Sequence, residues 1–354
     1  MTINVGILGA TGYGGIGLIR RLLRHPEVGS VEFGSRQWSG RTASEAWPHL
    51  AGLTDQTFID NDAVIDKSDV VFCATPHRYT APLVAQARKA GKRVVDLSAD
   101  FRLKPDIYTE WYGIEHPHPE LFPESKYGLV ELYRELLPGA NIISAPGCNA
   151  TAVILALAPL AAEGLLGKNI NANVITGASG AGRGTSDDLH FSQLNETSHA
   201  YKVAGQHRHL AEIEMSLKYA INQQRVVAEA NDTKAPTVTF TPHLAPMTRG
   251  ILATCTTFPD HGITDEKTLF SLYRNYYSGD PLIHIQTELP TTKAVNGSDR
   301  VLISVRKDPR SEAILTFAAI DNLGKGAAGQ AIQGFNVAFG FDETLGLCLT
   351  GDWP

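Results

Sequence analysis

Cysteine is scarce in this chain, with four in 354 residues, and no two lie at the short spacing of a metal-binding pair. A charged-then-apolar N-terminal leader is absent, and so is any run of roughly 18 apolar residues, the length that spans a membrane. The formal net charge is −6, without the basic excess of a nucleic-acid-binding protein. We therefore expect a cytoplasmic protein with reduced thiols that binds neither membranes nor nucleic acid and holds no metal ion.

The cysteines fall into two kinds of sequence pattern. Cys148 follows Pro146-Gly147 and precedes an apolar run over residues 153–166. A Pro-Gly turn that leads into a helix places the thiol at the helix N-terminus, where unpaired N–H groups and the helix dipole favour the thiolate. Cys148 is therefore the candidate nucleophile, and the alternative is a small buried hydrophobe. The other three cysteines lie in strand-like stretches and are interpreted as core residues: Cys73, Cys255 and Cys348.

The N-terminus predicts a strand at 2–8, a glycine-rich loop, and a helix at 16–23. Glycines let the backbone approach a pyrophosphate closely, and a helix N-terminus favours its negative charge. The glycine spacing departs from the commonest dinucleotide fingerprint, but the loop opens a βαβ pattern, which favours nucleotide binding. The candidate cofactor contacts in this loop are Gly9, Thr11, Gly12, Tyr13 and Gly14.

The residues after the second predicted strand, 30–34, bear on the choice of cofactor. An NAD-selective site usually has Asp or Glu there to bind the 2′-hydroxyl of the adenosine ribose. This chain has Ser35 and Arg36, with Arg41 further on. A hydroxyl and a cation suit a 2′-phosphate, so we expect NADP rather than NAD, unless Arg36 is an ordinary surface charge.

Strands and helices continue to alternate, with strands at 69–74 and 93–97 around a helix at 81–90. This alternation predicts a Rossmann-type, doubly wound parallel sheet of the α/β class. Ligands of such sheets bind beyond the carboxyl ends of the strands. The rule places Thr75, Pro76, Ser98 and Cys148 around one crevice.

The second half of the chain offers two further features. Residues 177–184 form a glycine-rich loop that suits a phosphate or else is simply a flexible turn, and its candidate cofactor contacts are Ser179 and Gly180. His207 and His209 open a helical stretch, and a histidine can take the thiol proton and later return a proton to an alkoxide. No further ligand cluster accompanies them, so a metal site is not predicted.

Seven ordered motifs resemble those of the N-acetyl-gamma-glutamyl-phosphate reductase family, which is related to aspartate-semialdehyde dehydrogenase. They are GATGYGG at 9–15, DLSADFR at 96–102, APGC at 145–148, SGAGR at 179–183, HRH at 207–209, RGILAT at 249–254 and DNLGKGAAGQ at 321–330. The resemblance implies an NADP-binding Rossmann domain at 1–148, completed by 320–354. It also implies a catalytic α+β dimerisation domain at 149–319, like that of glyceraldehyde-3-phosphate dehydrogenase.

The resemblance further implies NADPH-dependent reduction of N-acetyl-gamma-glutamyl phosphate to its semialdehyde in arginine biosynthesis, through a Cys148 thioester, by a homodimer or homotetramer. Asn149-Ala150 stands where the family commonly has Tyr-Pro. That form resembles a branch that reduces glutamyl or aminoadipyl phosphates tethered to an amino-group carrier protein, in lysine or arginine synthesis. The carrier-bound substrate is therefore the alternative.

The resemblance brings both histidines to the catalytic cysteine and leaves open which one moves the proton. It places Asn322 near the nicotinamide, although Asn also favours helix caps. The candidate contacts to a substrate phosphate or carboxylate are Arg102, Asn149, Arg183, Arg208 and Arg249. Two rival interpretations are an NADP-sensing regulatory protein and a structural subunit with an inert Cys148; a thiol together with a histidine pair argues against both.

Overall fold

The computed structural model describes residues 2–184, 186–223, 235–260 and 265–353. Within these ranges the strands are β1 (Ile3–Leu8), β2 (Val28–Gly34), β3 (Phe58–Ile59), β4 (Val70–Cys73), β5 (Arg93–Asp96), β6 (Ser125–Tyr127), β7 (Ile142–Ser144), β8 (Ile170–Gly177), β9 (His199–Ala200), β10 (Val238–Ala245), β11 (Ile251–Thr257), β12 (Ile283–Ile285), β13 (Val301–Lys307) and β14 (Ile314–Ile320).

The α-helices in the same ranges are α1 (Tyr13–Leu22), α2 (Ala43–Ala46), α3 (Asn61–Lys67), α4 (Thr80–Lys89), α5 (Pro105–Tyr112), α6 (Val130–Tyr133), α7 (Cys148–Ala162), α8 (Phe191–Leu194), α9 (His209–Gln223), α10 (Glu266–Tyr276), α11 (Thr292–Val295) and α12 (Gly329–Phe339). Short 3-10 helices cover Pro48–Leu50, Pro119–Glu124, Arg134–Leu136, Ala178–Ala181 and Asp187–Leu189, and a π-helix covers Gly324–Ala328.

The described chain divides into two compact units. Unit 1 takes its residues from 1–146 and 327–348, and unit 2 from 147–326 and 349–354. The sequence analysis predicted a second domain at 149–319, whereas unit 2 begins at 147, continues to 326 and includes 349–354. Cys148 belongs to unit 2 because α7 packs there, and residues 320–326 and 349–354, expected to complete the first domain, also belong to unit 2.

Unit 1 is built on a seven-stranded sheet in the order β3-β2-β1-β4-β5-β7-β6. Every pairing in it is parallel. The strand order reverses between β1 and β4, and ligands of open α/β sheets bind beyond the carboxyl ends of the strands at such a reversal. The predicted doubly wound fold is confirmed, and the glycine-rich loop follows β1 at this position.

Hydrophobic cores cover both faces of the unit 1 sheet. On one face Ile7 and Phe72 pack with Phe335 of α12, and α1 contributes to the same cluster. On the other face Leu8 packs with Val84 of α4. Successive strand residues point to opposite faces, which is why neighbours in β1 enter different cores. Burying one side chain of this size contributes about 1.5–3 kcal/mol.

Unit 2 contains a mixed seven-stranded sheet in the order β12-β13-β14-β11-β8-β10-β9. The pairs β8–β10 and β12–β13 are parallel, and the other pairings are antiparallel. Helix α7 packs against β11 and β14 on one side and against α9 on the other. The predicted α+β architecture of the second domain is confirmed.

Helix α7 is the buried centre of unit 2, and every residue from Asn149 to Ala162 is buried. Pro159 lies inside this helix and cannot donate to the carbonyl of Leu155, four residues earlier. The hydroxyl of Tyr277 donates to that carbonyl instead, at 2.7 Å. Tyr273 similarly donates to the carbonyl of Ala156, at 2.6 Å. Two tyrosines of the α10 region therefore anchor the helix that carries the candidate nucleophile.

The cysteine predictions have mixed outcomes. Cys73 and Cys255 are buried in β4 and β11, as expected. The expectation for Cys348 is wrong, because this residue is only half-buried, lies outside a strand and accepts a hydrogen bond from Arg24 Nη2 at 3.0 Å. None of the four cysteines forms a disulfide. Among the described helices, none is long and apolar enough to cross a membrane.

Candidate active site

Cys148 is the first residue of α7 and is half-buried. The preceding Gly147 is the helix N-cap, in an extended conformation with φ −68° and ψ 144°. Thr151 stabilises the turn, since its backbone N–H and its hydroxyl both donate to the Gly147 carbonyl, at 2.8 and 3.0 Å. A glycine N-cap has no side chain to bind the first-turn N–H groups, so these groups can stabilise negative charge at the sulfur.

Three neighbours confine this turn. The buried carboxylate of Glu212 accepts the N–H of Gly147 at 2.9 Å. The imidazole of His209 lies directly against Gly147, where a Cβ would collide with the ring. On another side, a Cβ at Gly326 would lie 2.8 Å from the Cβ of Cys148, so only glycine fits there. Cys148 is thus held by close packing that the two glycines permit.

The two histidines of the HRH motif have different environments. His207 precedes α9, and its Nδ1 atom accepts the backbone N–H of His209 at 3.2 Å, which makes it a side-chain cap of that helix. Burial, and then the neighbouring His209, lower the pKa of His207 to about 2. Its ring also packs edge-on against Tyr201 and Phe240. His207 is therefore neutral near pH 7, whereas His209 contacts Gly147, the residue before Cys148.

Tyr201 is a site residue that the sequence reasoning missed. Its hydroxyl accepts a hydrogen bond from Nδ2 of Asn149 at 3.4 Å. Burial, and then the charge of Cys148, raise the pKa of Tyr201 to about 12, so the phenol stays protonated. Asn149 itself is 2% exposed, and its Oδ1 atom has no hydrogen-bond partner among the described residues. No local pattern marks Tyr201, which lies just after the two-residue strand β9.

Arg249, a predicted substrate contact, is engaged by a buried carboxylate. Its Nε and Nη2 atoms bind Asp321 at 3.1 and 2.8 Å. Asp321 is fully buried and also accepts the N–H groups of Gly297 and Leu323, at 2.6 and 2.8 Å. This bidentate pair joins the loop before β11 to the loop after β14. Its geometry indicates that Arg249 positions backbone, and a substrate contact remains a prediction.

The other predicted arginines are dispersed. Arg102, in unit 1, donates from Nε to the carbonyl of Ala145 at 2.8 Å and from Nη2 to that of Leu97 at 2.9 Å. In unit 2, Arg183 is exposed and Arg208 is half-buried between the two histidines. The two backbone contacts give Arg102 a structural task at the carboxyl ends of β5 and β7. Substrate binding by these arginines stays a prediction.

The predicted cofactor contacts of unit 2 lie together. Asn322 donates from Nδ2 to the hydroxyl of Ser179 at 2.9 Å, and its Oδ1 accepts the N–H of Gly250 at 2.7 Å. A Cβ at Gly180 would lie 3.7 Å from Nδ2 of Asn322, which is an ordinary contact. The amide therefore fixes the loop that follows β8. Contact of Ser179, Gly180 and Asn322 with a cofactor stays a prediction.

The glycine-rich loop of unit 1 follows β1 and caps α1 with Gly12. Gly9 has φ +81°, and a Cβ there would lie 2.7 Å from the carbonyl of Ala74, so the fold itself requires this glycine. At Gly12 and Gly14 a Cβ would make only ordinary contacts, at 3.5 and 3.6 Å. The packing of unit 1 would therefore tolerate a larger residue at either position. Because glycine has no side chain, the backbone beside the start of α1 is accessible at Gly12 and Gly14. A pyrophosphate contact at these glycines stays a prediction.

The residues after β2 form the predicted ribose site. The backbone N–H of Ser35 donates to the carbonyl of Ile59 at 3.1 Å, and its side chain is buried. Arg36 is exposed and forms no hydrogen bond or ion pair with the described residues. The guanidinium of Arg41 lies 5.1 Å from the ring centre of Trp38, within cation–π range. Among the described residues after β2, the Arg36 guanidinium is therefore available to bind an anion.

The remaining predicted cofactor contacts follow β4 and β5. The hydroxyl of Thr75 pairs with that of Thr80 at 2.7 Å, and Pro76 is exposed at the same turn. The hydroxyl of Ser98 donates to Asp96 at 2.9 Å and accepts the N–H of Asp100 at 3.1 Å. Ser98 thus has two hydrogen-bond partners within unit 1, and its contact with a cofactor stays a prediction.

Two buried carboxylates lie at and just after the end of β5, and the sequence analysis did not identify them as titrating groups. Asp96 and Asp100 are both fully buried. Asp100 accepts the backbone N–H groups of Arg78 and Ala81, at 2.9 and 3.0 Å. Burial, and then the charge of Asp100, raise the pKa of Asp96 to about 7. Asp96 therefore holds its proton more tightly than an exposed carboxyl group does.

Comparisons with known proteins agree with this geometry. The family described as "semialdehyde dehydrogenase, NAD binding domain" matches residues 4–140, and the one described as "semialdehyde dehydrogenase, dimerisation domain" matches residues 148–322. The N-acetyl-gamma-glutamyl-phosphate reductase of Thermus thermophilus is 45% identical over 99% of this chain and 100% of its own length. This chain belongs to the N-acetyl-gamma-glutamyl-phosphate reductase family. The reductase of Desulforudis audaxviator is 43% identical over the same shares.

Solved structures support the fold of this reductase family member. Aspartate semialdehyde dehydrogenase II of Vibrio cholerae, complexed with ASA, aligns with a TM-score of 0.71 and 18% identity over 95% of this chain and 98% of that one. The Candida albicans aspartate semialdehyde dehydrogenase with NADP aligns with a TM-score of 0.65 and 17% identity over 95% and 99%. Within the described parts of the reductase, no group of three His, Cys, Asp or Glu side chains has a geometry that could hold a metal ion.

Proposed function

We propose that this chain uses NADPH to reduce N-acetyl-gamma-glutamyl phosphate to N-acetylglutamate semialdehyde, a step of arginine biosynthesis. The observation that carries the proposal is the half-buried Cys148 at the start of α7, with His209 against the preceding glycine. The relatives named above, at 45% and 43% identity, supply the substrate class. An acyl phosphate is suited to such a site because phosphate is a good leaving group.

In the first half of the reaction, His209 takes the proton of the Cys148 thiol, and the thiolate attacks the carbonyl carbon of the acyl phosphate. The first-turn N–H groups of α7 stabilise the resulting oxyanion. The carbon–oxygen bond to phosphate then breaks, which leaves a thioester on Cys148. His207, with a pKa of about 2, holds no proton at neutral pH and serves to cap α9.

In the second half, the nicotinamide cofactor, when bound, supplies the hydride that reduces the thioester carbonyl. His209 donates a proton to the alkoxide and then recovers it as the carbon–sulfur bond of the thiohemiacetal breaks. The semialdehyde leaves, and the thiolate and the protonated histidine are restored. The hydroxyl of the half-buried Tyr201 stays protonated near neutrality, because its pKa is raised to about 12.

NADP is the proposed form of the cofactor. The room beside Gly12 and Gly14 suits the pyrophosphate, and Ser35 with the uncommitted Arg36 suits a 2′-phosphate. Strand β2 ends without an acidic residue that would favour an unmodified ribose. A comparison of kcat/KM for NADPH and NADH tests the assignment, and a preference for NADH would overturn it.

The free N-acetylated acyl phosphate is the proposed substrate. The curated relatives carry the name of that reaction, and they do not favour the carrier-bound alternative. The decisive experiment measures NADPH oxidation with N-acetylglutamyl phosphate and with carrier-tethered glutamyl and aminoadipyl phosphates. Turnover with the free compound at least about tenfold faster supports the proposal, a difference of about 1.4 kcal/mol in transition-state binding. Exclusive turnover of a tethered compound refutes it.

A homodimer is the proposed assembly, formed through the open face of the unit 2 sheet. Residues of β8 alternate between buried and exposed, and Ile175 is 41% exposed at mid-strand. Its cross-strand partner is Leu252, and Phe317 lies on β14 of the same sheet. Apolar side chains on a sheet face opposite the buried α7 suit a subunit contact. Sedimentation of the wild type and of Ile175→Lys tests this surface; a monomeric wild type would refute it.

A further inference from the structure

Gly250, the neighbour of Arg249, packs against α11. Its φ is +115°, and a Cβ there would lie 2.6 Å from the Cβ of Thr292, the first residue of α11. The loop directly after α11 reaches Arg249 as well, because the N–H of Gly297 and the guanidinium of Arg249 share the carboxylate of Asp321. The position of Arg249 therefore depends on where α11 and the loop after it lie.

A distant part of the chain, residues 351–353, holds this loop. The backbone N–H of Asp352 donates to the carbonyl of Asn296 at 2.6 Å. The carboxylate of Asp352 lies against Gly297, where a Cβ would collide with it. A Cβ at Gly351 would lie 2.9 Å from the carbonyl oxygen of Asn296, so the two backbones are in close contact. The 351–353 segment therefore fixes the loop whose N–H group binds Asp321.

The 351–353 segment also contacts α11 through a side chain. Nζ of Lys293 lies 5.5 Å from the ring centre of Trp353, within cation–π range. Both residues are exposed, and such contacts are weak at exposed sites. We therefore assign the main holding contact to the N–H of Asp352. Because the segment lies at the surface, changes in it leave the buried core of unit 2 in place.

We propose that the 351–353 segment is a positioning element for Arg249: the hydrogen bond from Asp352 holds α11 and the loop after it, and these hold Arg249 with its partner Asp321. The segment acts through backbone and need not touch the substrate. The inference rests on the proposed function and on the predicted contact of Arg249 with the phosphate or carboxylate of the acyl phosphate. Arginine binds such anions through a geometry-dependent pair of hydrogen bonds, so a displaced guanidinium binds them less well.

A purely structural segment would give a different signature. Its loss would lower the melting temperature and leave substrate binding by the folded enzyme as it was. A positioning segment predicts weaker binding of the acyl phosphate and a more reactive guanidinium at Arg249, because its pairing with Asp321 is loosened. Phenylglyoxal measures that reactivity without any substrate, since it modifies arginine side chains, and the side chain of Arg249 is 20% exposed.

The experiment uses a chain that stops before Gly351, Asp352→Pro, which lacks the N–H donor, and Asp352→Ala, which keeps it. Gly164→Ala is the matched control for lost stability: Gly164 belongs to unit 2 and has φ +69°, which strains alanine, but open space surrounds its Cβ position. Each enzyme is assayed for kcat, for the KM of both substrates and for melting temperature. The rate of phenylglyoxal modification of Arg249 is followed by peptide mass spectrometry.

We expect the shortened chain and Asp352→Pro to raise the KM for N-acetylglutamyl phosphate about tenfold, the lower end of what a charge-assisted contact contributes to binding, and to speed modification of Arg249. Their kcat should stay within about threefold, because a contact made equally in the ground and transition states changes KM alone. The KM for NADPH should barely change. Asp352→Ala should keep all values near those of the wild type, and Gly164→Ala should lower only the melting temperature. If the shortened chain fails to fold, Asp352→Pro provides the test.

An unchanged KM and an unchanged modification rate in Asp352→Pro would overturn the proposal, even with a lower melting temperature. Equal losses in Asp352→Pro and Asp352→Ala would assign the effect to the side chain and would overturn the role of the N–H. The same changes in Gly164→Ala would trace them to lost stability and would equally overturn it. The proposed function is tested separately, by turnover of N-acetylglutamyl phosphate in the wild type. The phenylglyoxal rates measure the position of Arg249 even if that substrate proves wrong.

Discussion

The Nδ1 atom of His207 accepts the backbone N–H of His209 across 3.2 Å. This bond commits one ring nitrogen of His207 to the start of α9, and burial keeps the ring neutral by lowering its pKa to about 2. His209, by contrast, lies against Gly147, next to Cys148. The two histidines of the sequence motif therefore have different surroundings, and the different roles proposed for them can be tested separately.

His209→Asn is expected to lower kcat by about a hundredfold or more, the scale of general acid–base catalysis, and to flatten the pH profile of kcat. His207→Asn is expected to keep kcat within about fivefold, because an Asn oxygen can accept the same backbone N–H and Asn is a good N-cap. Steady-state kinetics from pH 5.5 to about 9 measure both variants.

The cap itself is tested by His207→Ala. Loss of the side-chain acceptor should destabilise the protein by about 0.5–2 kcal/mol, the usual cost of removing an N-cap. Urea unfolding measures this difference. The assignment of roles would be reversed if the His207 variants lost turnover and His209→Asn retained it.

Cys148→Ser is expected to abolish turnover, because a hydroxyl is far less nucleophilic than a thiolate. NADPH binding should be nearly unchanged, since the predicted contacts to the adenosine half of the cofactor belong to unit 1 and Cys148 to unit 2. Fluorescence titration measures the binding, and a coupled assay measures turnover. Residual activity above about a tenth of wild type would contradict the covalent mechanism, which predicts a loss of several factors of ten.

Arg36→Ala is expected to raise the KM for NADPH by about ten- to a hundredfold, because a charge-assisted contact to a phosphate contributes about 1.5–3 kcal/mol. The KM for NADH should barely change, since that cofactor has no 2′-phosphate. Arg20→Ala is the matched control, as Arg20 is an exposed arginine of α1. Equal losses with both cofactors would assign Arg36 to structure.

Asp96→Asn should change how stability depends on pH. In the folded protein, burial and Asp100 raise the pKa of Asp96 to about 7, above the ordinary value of 3.8 that it regains on unfolding. The folded state therefore binds the proton more tightly, and this contribution to stability is full below about pH 4 and is lost as pH rises through about 7.

Relative to the wild type, Asp96→Asn should gain stability as pH rises from about 5 to 8, because the amide cannot ionise. Urea unfolding followed by tryptophan fluorescence reports mainly on unit 1, which holds Trp38, Trp47 and Trp111. Asp69→Asn is a control at an exposed carboxylate. Parallel stability curves for Asp96→Asn and wild type would show that Asp96 does not titrate in this range.

Much of the fold was predictable from local pattern. The alternation of strands and helices in the first half specified a doubly wound parallel sheet, because strand and helix periodicities are local properties of the chain. Pro146-Gly147 before an apolar run marked the helix start at Cys148, since N-terminal helix signals are also local. The family resemblance supplied the chemistry and both histidines, while the choice between them stayed open.

Only the tertiary structure decided which hydrogen-bond and ion-pair partners the individual side chains have. Arg249 is bound by Asp321, 72 residues away, and Gly147 by Glu212, 65 residues away. Cys348 sits in an apolar-looking segment but meets Arg24 at the other end of the chain. The pKa of His207 and its difference from His209 arise from burial among neighbours of other elements. The sequence by itself determined which residues could carry the chemistry. The folded structure decided which hydrogen-bond partners and how much burial each of them has, because these depend on through-space contacts that no local pattern encodes.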